Sequence, residues 1–427
     1  MPADYPGLLA RLDGLRTLGV DLGLDRVRRA LSALGSPEQR LPAVQIAGTN
    51  GKGSTAAMTE AILRAAGWRT GLYTSPHLAR FTERIRIDGR EVAGDRLATL
   101  DDRIAATGVP LTYFEVATLL AFLVMAEEGV ELAVLETGLG GRLDAVTTCH
   151  PLATAITSIG WDHQDYLGAT LAAIAREKAG ILKPGVPVFL ARLPPEADAE
   201  IAGVAAQVGA PLRRLGLDFP ADLPVDLAAP GAGLLGAHQR SNAALAVALA
   251  SEAARRRARP LAPAAIAAGL AGVRWPGRLE LIGGDLLLDC AHNPEGAEAL
   301  AAALPEIAGG RPVALVISVV ADKDLGGILR PLLPLASLVV ATRSQNRRAR
   351  SPADLAAAIA ALAPGAQSPP VLARDDAAQA LAEARRQLAD RAGGGLVVVA
   401  GSIFLVGEIR ARLLGETLDP RPVSDPL

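Results

Sequence analysis

The runs LPAVQIAG, ELAVLETG and PLATAITSIG are each apolar for the length of a strand and stop at a polar or glycine turn; Ala-rich helical patterns such as STAAMTEAILRAAG and TLAAIAREKAGIL lie between them. Strands separated by helices join one sheet as parallel neighbours, because a parallel pair needs a long crossover. Near-continuous apolar strands also need cover on both faces. The alternation therefore predicts an α/β fold with a parallel sheet under helices. At 427 residues the chain exceeds one ordinary core. A Pro-Gly breaker in RWPGRLELIGG interrupts the pattern, and GDLLLDCA, RPVALVISVV, ASLVVATR and GGLVVVAGS then resume it. The boundary falls near Trp275 to Gly277, giving units 1–274 and 275–427 joined by a linker near 275–279. The Pro-, Gly- and Ala-rich stretch from Leu193 to Ala237 carries no clear pattern.

The first strand leads into AVQIAGTNGKGSTAAM, Ala43 to Met58. A glycine turn between a strand and a helix starting at Ser54 offers backbone N–H groups and a helix N-terminus to phosphate oxygens. Lys52 would reach the terminal phosphates, and Ser54 or Thr55 would lie near a magnesium ion. The strict GxxxxGK[ST] pattern is not met: Ile46 stands where its first glycine belongs, and Gly53 follows Lys52. Ser75 in LYTSPHL, Glu136 in LAVLETG and His163 in SIGWDHQDYLG also follow apolar strands, which places them at a carboxyl sheet edge, where ligands of open α/β sheets bind. Taken singly, each reads equally well as a turn or loop residue. Lys178 in REKAGIL reads from its helix position as a surface lysine.

The net charge of -2 argues against a generally nucleic-acid-binding surface and leaves room only for a local basic patch. Two distant cysteines, Cys149 and Cys290, exclude a disulfide framework or a CxxC zinc site and fit a reducing cytoplasm. The first residues lack the basic start and apolar core of a signal peptide, and no apolar run reaches the ~18 residues of a membrane span. A cytoplasmic protein with no membrane and no nucleic acid partner is expected.

In order along the chain, GTNGKGST, LYTSPHLARFTERIRIDG, LTYFEVATL, LETGLGGRLDAVT, SIGWDHQDYLG, REKAGIL, WPGRLE and DCAHNPEGA resemble the folylpolyglutamate synthases. They are closer still to the bacterial bifunctional dihydrofolate synthase/folylpolyglutamate synthases, a branch of the Mur ligase superfamily. The likeness runs from about Asp21 to Leu405. It implies a P-loop, parallel-sheet ATPase domain followed by a smaller Rossmann-like α/β domain. By position, Gly51, Lys52, Gly53 and Ser54 match the family's ATP phosphate loop, which has a GKGS form. Ser75 and Glu136 match ligands of one magnesium, and His163 a ligand of a second. Lys178 matches a lysine that the family carbamylates with CO2. Asn242, Arg278 and Asp289 match nucleotide contacts, and His292 and Asn293, in the same motif as Asp289, are expected to line the cleft. A pterin pocket is implied at Gly19, Val20 and Asp21, at Thr112, Tyr113, Phe114 and Glu115, and at Leu143, Asp144 and Ala145. Phe114 would stack on the ring and Asp144 would accept its N–H groups.

The reaction so implied is ATP-dependent joining of L-glutamate to dihydropteroate and to reduced folates through an acyl phosphate, by a monomer. Lys52, Lys178 and His163 would carry the catalysis, and closure of the second domain about Arg278 would keep out water. No G-x-S-x-G elbow or other nucleophile motif is present. The alternatives are chain extension alone, a Mur enzyme acting on a cell-wall precursor, or a non-enzymatic P-loop protein. The pterin segments speak against the cell-wall enzyme. A GTPase would carry NKxD, and the nearest text, ADKD at Ala321 to Asp324, lies in the second unit.

Overall fold

The computed structural model describes residues 4–15, 22–223, 234–362, 368–389 and 394–419. Gly19, Val20 and Asp21 lie outside the described residues, as do positions 224–233 of the stretch that carried no pattern.

The strands of the first half are β1 (Ala43–Ala47), β2 (Thr70–Tyr73), β3 (Ile85–Ile87), β4 (Arg90–Glu91), β5 (Leu132–Glu136), β6 (Pro151–Ile156), β7 (Val188–Leu190) and β8 (Leu212–Arg214). They form one sheet in the order β4-β3-β2-β5-β1-β6-β7-β8. From β2 to β8 every neighbouring pair is parallel. The edge departs from the expected all-parallel sheet, because β3 and β4 are antiparallel additions to β2. The cause is local. Asp88 and Gly89 both take positive φ in the turn between β3 and β4, and an Asp-Gly pair suits the tight turn that folds a strand straight back.

Helices cover both faces of this sheet. On one face Lys52–Ala65 packs with His238–Arg256 and Pro263–Gly272 around Ile46, Ile62 and Leu249. On the other, Tyr113–Glu127 is buried nearly all round among Leu12, Leu97 and Leu135, as expected of a helix without a polar face. Further along, Leu171–Ala179 and Pro195–Val208 pack over β6 and β7.

The second sheet comprises β9 (Glu280–Ile282), β10 (Leu286–Leu288), β11 (Val313–Ile317), β12 (Leu338–Ala341), β13 (Val371–Ala373) and β14 (Leu396–Ala400), ordered β13-β12-β11-β14-β10-β9. It is parallel except for β9, which folds back onto β10 through Gly283 and Gly284, again both at positive φ. Pro294–Ala308, Leu325–Leu332 and Pro352–Leu362 cover one face, and Ala377–Ala389 and Ile403–Leu414 the other. The carboxyl edges of both sheets border one cleft.

Candidate active site

The cleft encloses about 450 Å³. Gly51, Lys52, Gly53, Ser54, Ser75, Glu136, His163, Asn242, Arg278, Asp289 and His292 all line it. Residues far apart in the chain are thus brought together by the two sheet edges.

The loop from Gly48 to Ser54 takes its shape from its glycines and from the end of β6. Gly48 and Gly51 have φ of 151° and 85°, and a Cβ on Gly48 would lie 2.0 Å from Thr157 Oγ1. Thr157 Oγ1 donates to Asn50 O at 2.6 Å, and Asn50 N donates to Ser158 Oγ at 2.8 Å. Helix Lys52–Ala65 starts two residues before the expected Ser54, so Gly53 and Ser54 lie in its first turn with N–H groups that have no partner inside the helix. Lys52 Nζ donates to Gly48 O at 3.0 Å and to Thr49 O at 3.1 Å.

Lys178 is not at the surface. It is 5 % exposed beneath the loop, and its Nζ donates to the same Gly48 carbonyl at 2.9 Å. Burial, reinforced by the nearby Lys52 charge, lowers its pKa to about 7. Glu136 is buried at the end of β5, and its Oε2 accepts the Ser75 N–H at 3.2 Å. A Cβ on Gly53 would lie 3.4 Å from that same oxygen, so Ser75 and Glu136 face the start of the phosphate loop.

His163 stands in the left-handed region (φ 51°), with Nε2 3.5 Å from Asp162 Oδ2. Burial lowers the His163 pKa to about 4, so the imidazole is neutral and has a lone pair to give. Burial alone would raise the Asp162 carboxyl, but Lys323, together with His163 and His292 once acid has protonated them, outweighs it and holds it well below the usual carboxylate range. Lys323 Nζ meets Asp162 Oδ1 at 2.6 Å across the cleft. Sequence reasoning missed both partners of this pair. Asp162 was overshadowed by His163, and Lys323 sits in the ADKD segment that served only to argue against a GTPase. Among the described residues no three His, Cys, Asp or Glu side chains converge as a metal-binding group. The hard oxygen donors Ser75 and Glu136 nevertheless fit magnesium, which keeps several waters and borrows oxygens from phosphate.

Of the residues expected to contact nucleotide, Asn242 donates its Nδ2–H to Gln239 Oε1 at 2.9 Å, and a Cβ on Gly51 would strike Asn242 Oδ1. Asp289 accepts the N–H groups of Leu279 and Ala291, both at 2.9 Å, and burial raises its pKa. Asn293 does not line the cleft. It caps helix Pro294–Ala308 and exchanges amide hydrogen bonds with Asn50, tying the phosphate loop to the second sheet. Beside it, Glu295 Oε1 accepts the Trp161 N–H at 3.0 Å.

The expected pterin segments show more architecture than recognition. Thr112 and Glu115 form a capping box at the start of helix Tyr113–Glu127, and Glu115 also pairs with Arg26 at 2.9 Å. Tyr113 is fully buried against Phe81 and Arg84. Asp144 accepts the N–H groups of Gly138, Leu139 and Val146, each at 2.9 Å, so its carboxylate is fixed in place by its own turn. Leu143 is half-buried and Ala145 buried in the same turn. Phe114 keeps a ring edge against Gly138, where a Cβ would come within 2.5 Å of it, and Gly138 lines the cleft.

Residues 46–187 match the Mur ligase middle domain, and residues 277–403 match the Mur ligase glutamate ligase domain. The dihydrofolate synthase/folylpolyglutamate synthase of Bacillus subtilis is 33% identical over 96% of this chain and 99% of its own length. Escherichia coli FolC in complex with DHPP and ADP superposes with a TM-score of 0.85 at 30% identity, covering 97% of this chain and 98% of that one. A bifunctional folylpolyglutamate synthase/dihydrofolate synthase with Mn, AMPPNP and L-glutamate bound gives 0.83 at 32% identity, covering 96% and 98%.

Proposed function

The chain belongs to the dihydrofolate synthase/folylpolyglutamate synthase family of the Mur ligases and is an ATP-dependent ligase, and from that premise we propose that it adds L-glutamate both to dihydropteroate and to reduced folates. The observation that carries the reading is the convergence of a phosphate loop and an oxygen donor pair on one cleft between two sheets, with a buried low-pKa lysine beneath the loop.

A free carboxylate does not condense with an amine near neutral pH, since its leaving group would be oxide. Transfer of the γ-phosphoryl group of ATP to the acceptor's carboxylate gives an acyl phosphate and ADP; the glutamate amine then attacks, and phosphate leaves. Gly51, Gly53 and Ser54 receive the triphosphate on backbone N–H groups and a helix N-terminus. Lys52 exchanges its two carbonyl partners for phosphate oxygens and offsets the charge that separates triphosphate from carboxylate. Ser75 and Glu136 would hold one magnesium and His163 a second, and the bound metal would supply charge neutralisation at the transferring group. Lys178 at a pKa of about 7 is substantially neutral at pH 7. Its amine adds to CO2, losing one proton and becoming an anionic carbamate that supports the metal sites. Asn242, Arg278 and Asp289 hold the nucleoside, and Phe114 forms a wall of the pterin pocket. No protein nucleophile takes part. We further propose a cytoplasmic monomer, divided at 274/275, in which the second unit closes on the cleft. Among the described residues no helix is long and apolar enough to cross a membrane.

The test is ADP release with Mg-ATP and L-glutamate, run with dihydropteroate and with tetrahydrofolate, the products identified by mass. Turnover with both establishes the bifunctional reading; turnover with tetrahydrofolate alone restricts it to chain extension, and turnover with neither overturns it.

A further inference from the structure

The segment from Ser75 to Arg84 leaves the carboxyl end of β2 and carries cleft residues at its start. It contains no strand, so its backbone groups need partners from elsewhere. Glu83 supplies one set, accepting the N–H groups of Leu78, Ala79 and Arg80 at 2.8 to 3.0 Å. The other set comes from the far end of the chain. After helix Ile403–Leu414, residues 415–419 cross from the second sheet's helices onto this loop. Asp419, 3 % exposed, accepts the Phe81 N–H at 2.7 Å, and its own N–H donates to Ala79 O at 3.0 Å. The same carboxylate oxygen accepts the Tyr5 hydroxyl at 2.7 Å. Arg80 pairs with Glu91 on the first sheet and with Glu416 on the crossing segment, and Arg410 joins Glu416 to Glu280 of β9. Helix Ile403–Leu414 also presses on the loop, where a Cβ on Gly407 would lie 2.2 Å from Leu78 O.

We infer that residues 415–419 are a strap that positions the acceptor-binding loop, with Asp419 as its positioning residue. This rests on the assignment of the acceptor pocket to the Phe114 side of the cleft. The route from Asp419 to substrate is short. Phe81 stands edge-on to Tyr113 with ring centroids 6.1 Å apart, and Tyr113 is the neighbour of Phe114 at the start of helix Tyr113–Glu127. The other end of the loop carries Ser75, whose N–H is held by Glu136. Without Asp419, the buried Phe81 N–H has lost its acceptor, and the pairing of Arg80 with Glu416 is the carboxylate contact that the crossing segment still makes with the loop. The phosphate loop is fixed by Thr157, Ser158 and Asn293 and does not depend on the strap.

The experiment compares wild type, Asp419→Ala, Asp419→Asn and Tyr5→Phe in the full chain. In Asp419→Ala the KM for the folate acceptor should rise about 10- to 100-fold, the scale of a misplaced substrate, with the KM for Mg-ATP within about twofold. Hydrogen exchange should lose protection at residues 78–82 but not along Lys52–Ala65. Asp419→Asn keeps an oxygen for both donors and should restore both readouts; Tyr5→Phe removes one donor and should give a smaller shift in the same direction, which keeps the test open if Asp419→Ala does not fold. Equal rises in both KM values, unchanged exchange at 78–82, or no recovery in Asp419→Asn overturns the positioning role. If wild type turns over no folate acceptor, the acceptor assignment fails, and the exchange comparison alone still decides whether the strap orders the loop.

Discussion

Lys178 owes its chemistry to what covers it. Its helix position reads as a surface lysine, because spacing along a helix says nothing of the loop that packs on top, and only the motif around it pointed elsewhere. Under Gly48 it shares a carbonyl with Lys52, and its pKa falls to about 7. Lys178→Ala should abolish turnover while circular dichroism shows the fold intact; full activity in that variant would remove the carbamate from the mechanism. A second expectation follows from linkage. Between pH 7 and 10.5 the unfolded chain holds a proton on this lysine that the folded chain has released, so the group's contribution to stability rises with pH across that window. In CO2-free buffer the melting temperature of Lys178→Met should lack that rise. Asp144 is the opposite case. Its motif suggested a ligand, and the three N–H groups it accepts give it a second role as the pin of its turn. Asp144→Ala should lower stability by about 1–3 kcal/mol and impair dihydropteroate and tetrahydrofolate turnover alike. Selective loss of the dihydropteroate reaction would return Asp144 to the pterin pocket.

At the scale of elements, the longer parallel strands and their order of appearance were legible, since each is an apolar run ending at a polar or glycine turn. The edge hairpins were passed over although their turns are written in the text: Asp88-Gly89 in IRIDGRE and Gly283-Gly284 in LIGGDLL. The first was hidden inside a family motif, and the second sat in the segment read as a domain boundary. The short β7, β8 and β13 carry too few residues for an alternation to stand out. The TYFE segment was similarly read for its aromatics, while Thr112 and Glu115 spell the S/T-x-x-E signature of a helix start. Thr112→Ala should therefore destabilise the fold by about 1 kcal/mol, measured by urea unfolding, with little effect on ATP affinity. Phe114→Ala should instead raise the acceptor KM and leave stability nearly unchanged. If the two variants exchange these effects, the division of labour along this helix start is wrong.

For the molecule as a whole, the cleft belongs to both sheets. Asp162 meets Lys323 across it, Trp161 meets Glu295, and Asn50 meets Asn293. Sequence could not show these pairings, because each joins loops that no local pattern relates. Lys323→Ala leaves Asp162 buried without its cation and should reduce kcat/KM by about 10- to 100-fold, the scale of 1.4 to 3 kcal/mol at a buried pair; an unchanged value would show that the pair does not hold the closed arrangement. The two sheets also have separate apolar cores. On the proposed assignment of Gly51 and Asp289 to the nucleotide, the bound ligand would be a reversible cross-link between them. Without it, scanning calorimetry should resolve a broad or double transition, whereas saturating Mg-ADP should merge the two into one endotherm at higher temperature, because neither half can unfold without releasing the ligand that both hold.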